Sequence, residues 1–64
     1  IVLNGQAKTL AGPLSVAALV AELGFTGKRI AVERNGEIVP KSAHAQVMIA
    51  AGDRLEIVVA VGGG

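Results

Sequence analysis

Two Asn-Gly pairs constrain this chain more than any other feature. Asn4-Gly5 and Asn35-Gly36 each sit between short runs of extended-type residues. A two-residue hairpin turn of type I′ needs positive φ at both central positions, and Asn-Gly meets that need at little steric cost. The first pair predicts a hairpin from Ile1–Asn4 to Gln6–Leu10. The second predicts one from Ile30–Arg34 to Glu37–Val39, where Pro40 stops the strand because it has no N–H for a ladder.

Between the hairpins lies the best-marked element. Val16, Leu19, Val20 and Leu23 follow the i, i+3, i+4, i+7 spacing of one apolar helix face. Ser15 stands where an N-cap hydroxyl belongs. Gly24 stands where a left-handed stop belongs. Ala11–Leu14 is a connection marked by Gly12-Pro13, and Phe25–Arg29 is a loop around Gly27. Lys41–Ala51 is harder to read. Ser42–Gln46 suits one helical turn and Val47–Ile49 a brief extended piece, with Met48 taken as core or loop filler. Gly52-Asp53 is a tight turn. Arg54–Ala60 then alternates, with Leu55, Ile57 and Val59 on one face and Arg54, Glu56, Val58 and Ala60 on the other.

Hairpin, helix, hairpin, irregular segment and strand describe an α+β domain. That is the element order of a ubiquitin-like β-grasp, with a mixed sheet of four to five strands packed on one helix. The last strand pairs in parallel with the first at the middle of the sheet, where the near-continuous apolar run Leu55–Val61 belongs. A chain of 64 residues is expected to form one domain, with its body over residues 1–61 and a flexible glycine tail over 62–64. With no cysteine, stability rests on aliphatic packing, and 52% of the residues are hydrophobic.

The same composition removes several functions. Without cysteine there is no disulfide, thiolate metal site or thiol nucleophile. The net charge is +1, the basic residues are dispersed, and neither Trp nor Tyr is present, so no nucleic-acid partner is expected. No uncharged run reaches the ~20 apolar residues of a membrane span. No basic start leads into an apolar run and cleavage site, so the cytoplasm is the expected compartment. His44 is the lone histidine and reads as a surface or loop residue. Asp53 and Glu56 fall on opposite strand faces, which speaks against a general acid–base pair. No metal site, bound cofactor or catalytic residue is expected, and the chain itself is not read as an enzyme.

The chemistry falls instead to Gly62-Gly63-Gly64. Ordering glycine costs more backbone entropy than ordering any other residue. Three in succession make sense where the tail works free of the body. Four extended residues, Val61–Gly64, reach about 13 Å, and the last three can enter a channel too narrow for side chains. A carboxylate at the tip, with a reference pKa of roughly 3.5, is ionised at neutral pH. It must be activated before it can transfer its acyl group. An inert end or a linker is the competing reading.

Several stretches resemble the ThiS family of ubiquitin-like sulfur carriers. They are Ile-Val-Leu-Asn-Gly at the start, Ser-Val-Ala-Ala-Leu on the helix, and Ala-Val-Glu-Arg-Asn-Gly-Glu-Ile-Val-Pro around the second hairpin. The most specific is Ala-Gly-Asp-Arg-Leu-Glu-Ile-Val-Val-Ala-Val-Gly-Gly-Gly at the end. Ser42–Ala50 carries no strong family signature. The resemblance implies a role in thiamine biosynthesis. A ThiF-like, E1-like adenylyltransferase would use ATP to activate the Gly64 carboxylate. A persulfide sulfur donor would convert it to a thiocarboxylate, and a ThiG-like thiazole synthase would accept the sulfur. Gly63 and Gly64 are then the functional pair, and Gly64 is the residue modified.

Val58 and Ala60, apolar and next to the tail, are candidates for the patch that docks on these partners, with Arg54 and Glu56 as a polar rim. Cover by a loop or a neighbouring strand is the other reading of the same residues. The small subunit of molybdopterin synthase shares the fold and chemistry, but it is usually longer and carries aromatic residues near its end. A protein modifier joined to lysines through Gly64 and a plain interaction module also compete with the carrier reading.

Overall fold

The computed structural model describes residues 1–60. Strand β1 (Val2–Leu3) pairs antiparallel with β2 (Gln6–Ala7). Backbone hydrogen bonds carry the pairing on to Ile1 and Lys8. Asn4 and Gly5 have φ of 50° and 81°, the two positive values of a type I′ turn. Strands β4 (Ile30–Arg34) and β5 (Glu37–Val39) form the second hairpin, with φ of 53° and 85° at Asn35 and Gly36. Both expected hairpins are present.

Helix α1 (Val16–Glu22) is bounded as its sequence predicts. The Ser15 hydroxyl accepts the Ala18 N–H at 3.0 Å. At the other end Gly24 has φ of +79°. The Gly24 N–H bonds the Ala21 carbonyl and the Phe25 N–H bonds the Val20 carbonyl, which is the Schellman arrangement. Two further first-turn N–H groups are satisfied from a distance: Val16 donates to the Val47 carbonyl and Ala17 to the His44 carbonyl. The segment after Pro40 is therefore tied beneath the start of the helix. It holds a 3-10 turn (Lys41–Ala43) and a short strand β6 (Met48–Ile49).

Strand β6 pairs antiparallel with β3 (Leu14–Ser15), a two-stranded element that the sequence pattern does not predict. Met48 is half exposed rather than core. His44 is buried rather than at the surface, and its Nε2 donates to the Val39 carbonyl at 3.0 Å.

The last strand, β7 (Arg54–Val59), ends one residue before the expected boundary, yet the Ala60 N–H still bonds the Arg29 carbonyl. The sheet order is β2-β1-β7-β4-β5, with β1 and β7 parallel and the other neighbours antiparallel. Strand β7 thus holds the centre, as its apolar run predicts. On the inner face Leu55, Ile57, Val32 and Val39 pack with Val16, Leu19 and Val20 of the helix and with Ile49. Among the described residues no helix is long and apolar enough to cross a membrane.

Candidate functional site

The helix covers one side of the sheet, and the other side of β7 faces outward. Arg54, Glu56 and Val58 are exposed on that side, and so is Ala60 just beyond the strand. Val58 is 62% exposed, so neither a loop nor a neighbouring strand covers it. All four candidate docking residues share this open surface. Gly62, Gly63 and Gly64, which carry the expected chemistry, lie outside the described residues together with Val61.

Register adds residues that strand alternation alone cannot find. Ala31 stands opposite Val58, Glu33 opposite Glu56, and Ile38 of β5 opposite Glu33. Directly paired residues point to the same face. Ile38 is 64% exposed, and its outward position was hidden because both it and Val39 are apolar in a three-residue strand. The face is therefore an apolar field, Ala31, Val58, Ala60 and Ile38, set around a pair of carboxylates. Across the sheet from Glu56, beyond Glu33, lies Ile38. The ion pairs among the described residues are Lys8–Glu22 and Arg34–Asp53, and neither reaches Glu33 or Glu56.

Asparagine side chains hold the β7 backbone from both flanks. Where the chain turns away from the sheet at Asn4, its side chain continues the ladder. Oδ1 accepts the Ile57 N–H at 2.8 Å, and Nδ2 donates to the Ile57 carbonyl at 3.3 Å. On the opposite flank Asn35 Oδ1 accepts the Arg54 N–H at 2.9 Å, and Nδ2 donates to Asp53 at 3.1 Å. Both residues do a second job besides forming turns.

Asp53 closes the turn that launches β7. Gly52 has φ of +85° and the Asp53 N–H returns to the Ala50 carbonyl, which suits a type II turn. The buried Asp53 carboxylate accepts the Ala50 N–H at 2.8 Å and Arg34 Nε at 2.7 Å. These bonds, the Ala50 N–H first, lower its pKa to about 2. Asp53 and Glu56 do not work together: one is buried in the turn, the other open on the outer face. Among the described residues no three His, Asp or Glu side chains gather as a metal site would require.

The ThiS family model matches residues 1–64. The chain belongs to the ThiS family. A solved structure of a thiamine biosynthesis protein (ThiS) from Geobacter metallireducens superposes with a TM-score of 0.82 at 30% identity, covering 98% of this chain and 96% of that one. The resemblance read from the hairpins and the final strand is thus borne out, as is the ubiquitin-like β-grasp fold. A thiazole synthase of Paramagnetospirillum magneticum is 50% identical over 64 residues, all of this ThiS-family chain but only 20% of that protein. The uncharacterized protein ycf40 of Porphyra purpurea is 36% identical over 64 residues and is matched over 90% of its own length. The chain therefore spans about a fifth of the thiazole synthases it resembles and nearly all of the short relative.

Proposed function

We propose that this ThiS-family chain is a sulfur carrier of thiamine biosynthesis and that its cargo is loaded on the carboxylate of Gly64. The observation that carries this reading is that the family match runs to residue 64. The match takes in the glycine run, which argues against an appended linker. The fold supports it: the central strand ends at Val59, three positions before Gly62 in the sequence.

In this reading the chain is a substrate of its partners and holds no cofactor. An E1-like adenylyltransferase of the ThiF type lets a Gly64 carboxylate oxygen attack the α-phosphorus of ATP, and pyrophosphate leaves. A persulfide sulfur then attacks the acyl carbon, and AMP leaves. A thiol cleaves the resulting S–S bond and frees the thiocarboxylate. Glycine suits each attack because no side chain shields its carbonyl. A thiazole synthase of the ThiG type withdraws the sulfur. Two longer relatives are named thiazole synthase and contain a segment like this chain, which supports that acceptor over a molybdopterin pathway. The cycle runs in the cytoplasm, where ATP is at hand. The outer face of β7, with Val58 and Ala60 nearest the tail and Arg54 and Glu56 further back, is the surface on which the partners dock.

Intact-mass measurement tests the reading. The chain ending at Gly64 is incubated with ATP, the adenylyltransferase and a sulfur source. The expected result is the mass gain of one oxygen replaced by sulfur, mapped to Gly64 and absent from a chain lacking that residue. An unchanged mass with an adenylyltransferase shown to be active on its own carrier would rule the reading out.

A further inference from the structure

We infer that the docking face is built to receive one basic side chain of the activating enzyme, seated between Glu33 and Glu56. This deepens the carrier reading above and rests on it. The starting observation is the register of β4 against β7, which sets Glu33 directly opposite Glu56 on the outward face. Like charges directly opposite one another in an antiparallel pair destabilise the sheet. No cation of the described residues forms an ion pair with either carboxylate. Arg54 lies on the same face two residues before Glu56, yet its side chain is not joined to it. An isolated chain gains nothing from this arrangement, and a local rule broken without compensation inside the fold is expected where a partner supplies it.

The surroundings say what kind of partner. Ile38 and Val58 are 64% and 62% exposed, and Ala31 and Ala60 are exposed beside them. Exposed apolar groups clustered on one side of a small domain mark a protein contact. An acidic pair within that field becomes desolvated when a partner settles on it. Its charge then has to be matched, and arginine, with a planar fork of donors, can reach two carboxylates at once. The occupant is accordingly a protein surface bearing an arginine or lysine ringed by apolar side chains. A second copy of this chain would bring Arg54, at the far end of β7 from Val58, and self-association is the measurement that tells this occupant apart.

The experiment compares the wild-type chain with Glu33→Gln/Glu56→Gln for stability, for binding to the ThiF-type adenylyltransferase and for loading. Removing the repulsion should leave the melting temperature equal or higher. Affinity should fall roughly tenfold or more, with slower association and a weaker dependence on salt. Glu33→Lys/Glu56→Lys should fall further, and exchanging the basic residue of the enzyme for Glu should restore part of its binding. A wild-type chain that loads normally, with a Gln variant that binds equally well, overturns this inference and leaves the carrier reading intact. A wild-type chain that neither binds nor loads overturns both. Self-association of the wild type that disappears in the Gln variant makes the face a dimer contact and also overturns it.

Discussion

Arg34 and Asp53 meet at 2.7 Å, the guanidinium Nε of one strand end against a carboxylate oxygen at the start of another. The contact joins β4 to the turn that launches β7. The Ala50 N–H and the Asn35 side chain bond the same carboxylate. Its pKa is lowered from 3.8 to about 2 by these bonds. A depressed carboxylate pKa adds stability that is fully present above the unfolded value and is lost as pH falls through the folded one. Acid titration of the unfolding free energy should show a loss between about pH 4 and pH 2. The side chain of Arg34 is about one-third exposed, so solvent screens part of the effect, and about 1–2 kcal/mol is expected. Asp53→Asn should remove this step. A pH profile identical in the variant and the wild type would show that Asp53 carries no linkage.

Asn4→Gly separates two roles of one residue. Glycine accepts φ of 50° easily, so the turn survives. The side chain that serves both the N–H and the carbonyl of Ile57 is lost. Destabilisation of about 1–2 kcal/mol is expected in urea unfolding, with faster amide exchange at Ile57. If stability holds, the clamp contributes nothing beyond the turn.

The ends of the helix are also separable. Ser15→Ala removes the cap on the Ala18 N–H and should cost about 1 kcal/mol. Gly24→Ala meets open space, so its cost is the left-handed backbone alone, about 1 kcal/mol. The sites are at opposite ends and share no partner, so the double variant should lose the sum. Thermal or chemical unfolding of the three variants reads this directly, and a strongly non-additive result would point to fraying of the whole helix.

Val58→Asp tests the docking face without disturbing the core. The side chain is 62% exposed, so the change in stability should stay within about 0.5 kcal/mol. Binding to the adenylyltransferase and the thiazole synthase should weaken by an order of magnitude or more. Ile38→Asp should act similarly if the field extends to β5, whereas Met48→Asp, exposed on β6, should leave binding alone.

Local signals in the sequence carried the helix and both hairpins, because Ser15, Gly24 and the Asn-Gly pairs act within a few residues of themselves. The position of β7 was legible from its apolar run. The pairing of β3 with β6 was not, since two-residue strands have no period to detect. The roles of Asp53 and of the Asn35 side chain were equally hidden, because Asp53 meets Arg34 and Asn35 only after the chain folds. His44 looked solitary for the same reason: its partner is a backbone carbonyl that no side-chain pattern announces. On the outer face alternation exposed Val58 and Ala60, while Ala31, Glu33 and Ile38 required the register between strands. The Glu33–Glu56 opposition is invisible until β4 is laid beside β7.

The asparagine clamps on β7 bear on how the molecule withstands handling. In the carrier role proposed above, an enzyme drawing on residues beyond Ala60 would apply its load to the strand gripped along both edges, and several ladder bonds would share that load rather than yield one by one. The grip begins at Arg54 and includes Ile57, so local opening should start at the β2 and β5 margins. The part of the molecule that precedes the glycine run would then be the last to give way under tension.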